Sequence, residues 1–169
     1  MMYLILDASP LIYLAKLDAL DAVAIAGHVA VVPSSVYAET ARPELAFRHP
    51  EVAIIERIRL GGQLLVISPE VAETKLATEL AERYGGLHAG ELDVLALGHV
   101  RGWATCFHER QASRLARALG VATVHLVEVL FAGTPDKELL GQRIRHFARL
   151  TNLTMNDLDA LLELVRERR

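Results

Sequence analysis

Residues 2–17 read MYLILDASPLIYLAKL. Tyr3 to Leu6 is short and wholly apolar, the pattern of a strand buried on both faces, and it stops at Asp7. Ser9-Pro10 then opens a helix, because Ser accepts from free N–H groups and Pro suits the first helical position. Leu11, Leu14 and Leu17 follow at helical spacing. A buried strand ending in a carboxylate and passing straight into a helix is the first half of an α/β unit. In open parallel sheets, ligands bind beyond the carboxyl ends of the strands, so Asp7 stands where a site is expected.

The rest of the chain continues the alternation. The sequence predicts a helix over 19–26 stopped by Gly27, a strand over 28–32, and a helix opened by Pro33-Ser34. Pro43 and Pro50 bracket a loop. A helix over 51–60 ends at Gly61-Gly62, and Leu64 to Ile67 forms a short strand or connector. Ser68-Pro69 starts a helix reaching about Tyr84, where Gly85-Gly86 ends it. A helix over 89–99, a strand over 103–107, a helix over 110–119 closed by Gly120, a strand over 121–125 and a helix over 126–131 follow. Thr134-Pro135 opens a longer helix. Thr154, with Asp157 three residues on, opens the last one. Strands alternating with helices predict an α/β domain with a mainly parallel sheet.

Composition sets the bounds. The chain has 169 residues, enough for one ordinary domain. The single cysteine, Cys106, excludes an internal disulfide framework and a Cys-rich zinc site. The longest apolar candidate, Ala22 to Val32, is interrupted by His28, and the N-terminus has no basic leader and a short apolar run cut by Asp7, so no transmembrane segment and no signal peptide are expected, and the expected compartment is the cytoplasm. Residues 1–98 carry 7 Lys+Arg against 13 Asp+Glu, and residues 99–169 carry 11 against 8. That asymmetry fits a cation site beside a phosphate-binding surface, and equally an ordinary variation of surface charge.

Five acidic residues fall near predicted strand ends. Asp7 follows the first strand, Glu39 lies on the helix after the second, Glu91 and Asp93 open the helix after Gly85-Gly86, and Glu109 follows the strand over 103–107. Singly, each has a structural reading: Asp7 as a helix cap, Glu39 as a solvated helix residue, Glu91 and Asp93 as partners of a helix dipole. Gathered together, they are costly without a cation, and a hard divalent ion such as Mg²⁺ or Mn²⁺ suits oxygen ligands. His88, His99, His108 and His125 have no zinc-ligand spacing, and no Gly-rich phosphate loop or nucleophile elbow is present.

These motifs have a familiar order. The opening MYLILDASPLIYLAKL, VPSSVYAET at 32–40, GELDVLAL at 90–97 and ERQASRLARALGVATV at 109–124 together resemble PIN domains, the metal-dependent ribonuclease fold of VapC-type toxins. The nearest likeness is to the predicted nucleases that open with DASPLI and carry GE before the third acid. The resemblance covers about residues 2–132. It implies a three-layer α/β/α fold with a central, mainly parallel sheet, here with two extra C-terminal helices. It divides the chain into a nuclease domain over 1–132 and a helical extension over 133–169, packed on the same domain or on a dimer partner.

The resemblance also implies a role for each acid. Asp7, Glu39 and Asp93 are the catalytic acids, converging on one cavity. Asp7, Glu39, Glu91, Asp93 and Glu109 hold one or two Mg²⁺ or Mn²⁺ ions, and Ser9 supports a carboxylate or water. At the fourth position the subfamily carries two consecutive aspartates where this chain has His108-Glu109. An imidazole there removes one negative charge, which implies weak Mg²⁺ binding, a preference for Mn²⁺ and reduced activity.

The implied activity is hydrolysis of RNA phosphodiester bonds, as the toxin of a toxin–antitoxin pair with an antitoxin protein and a homodimer as partners. The alternative is a PIN fold of weakened catalysis that holds RNA or a protein. Arg110, Arg114 and Arg117 set positive charge along one helix face, and Arg101, Arg143, Arg145 and Arg149 are candidates to extend an RNA path or to form a solvated face. A phospho-acceptor receiver domain is the third possibility. It wants paired acids after the first strand, and Asp7 is followed by Ala8 and Ser9.

Overall fold

The structure is a computed structural model that describes residues 2–42, 44 and 46–168. Pro43, one bracket of the expected loop, and Arg169 lie outside the described residues. Among the described residues, four strands carry the fold: β1 (Met2–Leu6), β2 (His28–Pro33), β3 (Leu64–Ile67) and β4 (Ala104–Cys106). They form one sheet in the order β3-β2-β1-β4 with every ladder parallel. Leu4, Ile5 and Leu6 are wholly buried, as an apolar strand covered on both faces must be.

Helices α1 (Ala8–Lys16), α2 (Asp21–Ile25), α3 (Ser34–Thr40) and α4 (Pro50–Leu60) make the crossovers that carry the chain from β1 through β2 to β3. Helices α5 (Val71–Arg83) and α6 (Ala89–Arg101) bring it back past β1 to β4. Right-handed crossovers place the outward and return helices on opposite faces, giving a three-layer α/β/α sandwich. The chain reverses direction across the sheet between β1 and β4, so the ligand crevice of such a sheet opens at the ends of those two strands.

Several boundaries differ from the sequence reading for local reasons. Helix α1 begins at Ala8, and Pro10 sits inside its first turn, where a missing N–H has no intrahelical partner to lose. Helix α5 begins at Val71 instead of Ser68-Pro69, because Glu73 Oε2 accepts from the Glu70 N–H at 2.5 Å and closes a capping box. Residues 121–125 are extended but form only a single bridge, Thr105 to Thr123, since β4 is three residues long. Gly102 ends α6 in the left-handed region at φ 66°, which a residue with a Cβ enters at a cost.

Helices α7 (Arg110–Ala118), α8 (Leu126–Gly133), α9 (Lys137–Thr151) and α10 (Met155–Glu167) complete the chain. The Asp136 carboxylate caps α9 by accepting from the Leu139 N–H at 2.7 Å, in place of the expected Thr134-Pro135 start. Thr154 caps α10 as its spacing to Asp157 predicts. Leu140, Ile144 and Phe147 of α9 are buried in the same apolar cluster as the sheet. Leu139, expected in that stripe, is instead 41% exposed. On α10 only Val165 is fully buried, while Leu158, Leu161 and Leu162 are half-buried.

Candidate active site

Four acids from four segments line one hollow of about 270 Å³ beyond the ends of β1 and β4. Asp7 ends β1, Glu39 sits on α3, Glu91 lies in the first turn of α6, and Glu109 is the residue before α7. Ala8, Ser9, His88 and Gly90 complete the lining. Asp7 and Glu91 are buried; Glu39 and Glu109 are exposed.

Backbone geometry fixes these positions. The Asp7 N–H donates to the Cys106 carbonyl at 3.1 Å, and the Leu11 N–H donates to the Asp7 carbonyl at 3.1 Å, so Asp7 is pinned by β4 on one side and α1 on the other. Glu91 Oε2 accepts from the His88 N–H at 2.8 Å, which anchors it at the start of α6. A Cβ on Gly90 would come within 2.9 Å of Val36 Cγ2 and 3.7 Å of Glu39 Oε2. Only a glycine permits this approach of α3 to α6, and the approach brings Glu39 and Glu91 to the same hollow.

The electrostatics of the hollow are those of a place short of positive charge. The Asp7 carboxyl is pushed up from 3.8 to about 6, first by burial. The Ala8 backbone N–H opposes this, and the charges of Glu91, Glu39 and Glu109 add to the rise. Carboxylate oxygens are the donors a hard divalent cation takes, so the residues present suit Mg²⁺ or Mn²⁺ in kind. Among the described residues, no three His, Cys, Asp or Glu side chains are grouped closely enough to hold an ion in the positions they occupy. The long side chains of Glu39 and Glu109 have the torsional freedom to close that gap.

Asp93 does not line this hollow. Residues two apart on a helix point about 200° away from each other, so Glu91 and Asp93 cannot both face it. Glu91 faces the hollow, and Asp93 is half-buried and accepts from Ser35 Oγ at 2.5 Å, across the seam between α6 and α3. The expected convergence of Asp7, Glu39 and Asp93 is thus a convergence of Asp7, Glu39 and Glu91, with Asp93 on an adjoining face. Ser35, one turn before Glu39, was silent in the sequence because a lone serine near a helix start reads as a cap.

His108 does not line the hollow either. Its ring packs edge-on against Tyr13 at 5.0 Å and Phe147 at 6.3 Å, on the α1 and α9 side of the strand end. Burial holds its imidazole below the usual histidine range. At the fourth position the hollow receives the carboxylate of Glu109 alone.

The arginines divide. Arg110, Arg114 and Arg117 are exposed on α7, with Arg117 Nε donating to the Ser113 carbonyl at 3.2 Å. Arg145 and Arg149 are also exposed. Arg101 is not free for a phosphate. It pairs with Glu73 at 2.5 Å and Glu70 at 3.5 Å and lies over the Trp103 ring. Arg143 is buried and donates to Thr134 Oγ1 at 2.8 Å and to the Asp18 carbonyl, which ties α9 to the turn after α1.

A helix of the length and apolarity needed to cross a membrane is absent among the described residues. No curated protein and no solved structure matches the chain. Residues 3–155 match the model of the DUF3368 family, described as a PIN domain, and that match passes beyond residue 132 to the first residue of α10. PIN domains are generally nucleases that use divalent metals. By this match over nearly its whole length, the chain belongs to the PIN domain family.

Proposed function

We propose that the protein is a metal-dependent endoribonuclease. The observation that carries this reading is the hollow at the β1/β4 switch point, where Asp7, Glu39, Glu91 and Glu109 meet and a buried Asp7 ionises only near 6. When bound there, Mg²⁺ or Mn²⁺ would supply a positive centre that makes water a stronger nucleophile and stabilises charge on the phosphate. Asp7 and Glu91, held by backbone hydrogen bonds, form the fixed side of that site, and Glu39 and Glu109 reach in from the rim. Ser9, in the first turn of α1, lines the hollow with a hydroxyl that can orient a carboxylate or a water. Arg110, Arg114 and Arg117 give the RNA backbone a positive face one helix away.

The same reading carries the toxin role, an antitoxin protein as partner, a homodimer as the working form and the cytoplasm as the compartment. Co-expression with the neighbouring reading frame and size-exclusion chromatography test the partners.

A second reading, a PIN fold that binds RNA or protein without cutting, has a specific observation in its favour: the carboxylates as placed do not close around an ion. Titration with Mn²⁺ beside cleavage of a labelled RNA separates the two. A nuclease takes up Mn²⁺ and cuts, and Glu91→Gln removes both. A binding module retains RNA with no uptake of Mn²⁺ and no cleavage.

A further inference from the structure

On the side of α9 that meets the end of α1, Arg143, Arg145 and Arg149 gather with Gln142 and His146 around a hollow of about 380 Å³. We propose that this hollow is a phosphate-binding site, separate from the acids, which takes the phosphoryl group of an RNA strand or of a small phosphorylated molecule. The proposal stands apart from the nuclease reading, because it involves neither the acids nor an ion held by them.

The hollow is remote from the acids. Leu17, on its wall, follows the last residue of α1, and Asp7 precedes the first. At a rise of 1.5 Å per residue, about 15 Å of helix separates the two. Its charge is also one-sided. Among the described residues, no carboxylate lines it. Arg145 and Arg149 are exposed and form no ion pair among the described residues. They stand four apart on one helix, where like charges repel.

Arg143 gives the site its fixed side. It is 7% exposed, and its guanidinium is held in place. Nη1 donates to Thr134 Oγ1 at 2.8 Å, and Nη2 donates to the Asp18 carbonyl and to Asp21 Oδ1 at 3.3 Å. The Nε–H is buried without an acceptor. A single carboxylate, that of the exposed Asp21, therefore pairs with a cluster of three guanidinium groups. A buried cation with incomplete pairing is costly, and an anion in the hollow offsets that cost.

The donors select the anion. A guanidinium fork matches two oxygens of a carboxylate or of a phosphate. Three forks and the Gln142 amide offer more donors than the two oxygens of a carboxylate accept. A phosphoryl group presents three strong acceptor oxygens and about two negative charges. Leu17 and Leu139 add an apolar wall, and low-dielectric walls focus the field of the arginines into the hollow. The volume falls within the range of small-ligand clefts.

The test is an amide NMR titration of the full chain in a chelator at constant ionic strength, with inorganic phosphate as the probe and chloride as the control. Phosphate should shift the amides of Gln142 to Arg149 saturably, chloride should not, and the amides around Asp7 and Glu91 should stay in place. Arg145→Gln and Arg149→Gln, both at exposed positions, should each weaken phosphate binding by about tenfold, the scale of one hydrogen bond to a charged group. The chain carrying both substitutions identifies the source. A strand phosphate predicts weaker binding of a labelled single-stranded RNA. A small phosphorylated ligand predicts weaker binding of 5′-AMP with RNA binding unchanged. Three outcomes overturn the proposal: phosphate shifts these amides no more than chloride does, the shifts persist unchanged in the doubly substituted chain, or that chain binds both RNA and 5′-AMP as the parent does.

Discussion

Asp7 shows how one residue reports the state of the whole site. Its carboxyl ionises near 6 in the folded chain and near 3.8 in the unfolded one, so the folded state holds the proton more tightly. The stabilisation this gives is fully present below about pH 4 and is lost as pH rises through 6. A rise of about two units corresponds to about 3 kcal/mol across that window. Asp7→Asn should therefore make the metal-free chain more stable than the parent at pH 8, with the difference closing toward pH 4. Urea unfolding in a chelator at the two pH values measures this, and a mutant less stable at pH 8 would contradict it. The position of Asp7 was legible in the sequence because an apolar strand ended on it. The choice between Glu91 and Asp93 was not, because both sit in one helical turn and only the facing of α6, set by Gly90 against Val36, decides between them. His108 was misplaced for the same kind of reason. A residue beside a strand end faces either side, and the aromatic neighbours that hold it, Tyr13 and Phe147, are distant in sequence.

Among the elements, strand and helix order came through the periodicity and the Gly and Pro punctuation, while the close packing did not. Gly133, the last residue of α8, shows why. A Cβ there would stand 2.0 Å from the Ala22 carbonyl oxygen, so α8 and α2 touch backbone to backbone. Nothing near Gly133 in the sequence marks this, since a glycine at a helix end reads as a stop. Gly133→Ala should destabilise the fold by about 2 kcal/mol or more, because the clash is with backbone and a rotamer change cannot relieve it. Thermal unfolding of the two chains checks this, and an unchanged midpoint would show that the two helices can part. On α7 the exposed Arg110, Arg114 and Arg117 make a different prediction. Replacing all three by Ala should reduce the salt dependence of RNA binding by about 2–3 in the slope of log K against log salt. Anisotropy with a labelled single strand measures it, and an unchanged slope would make the stripe a solvated face.

Across the whole molecule, the C-terminal helices differ in kind. Helix α9 places Leu140, Ile144 and Phe147 in the common core, whereas α10 buries only Val165 fully and leaves its other apolar residues half covered or exposed. A chain ending at residue 152 should remain folded with a lower unfolding midpoint, and one ending at 133 should be insoluble. Both are checked by expression and circular dichroism, and a soluble, folded 1–133 chain would show that α9 is dispensable. The proposed nuclease requires that Asp7, Glu39, Glu91 and Glu109 hold a divalent ion, with Asp93 outside that set. Isothermal titration of Mn²⁺ into the parent chain, Glu91→Gln and Asp93→Asn tests it most directly. Saturable binding to the parent is expected, none to Glu91→Gln, and binding to Asp93→Asn weakened by no more than about tenfold, the low end for a residue that only positions a ligand. Absence of binding to the parent, or loss in Asp93→Asn with retention in Glu91→Gln, would contradict it.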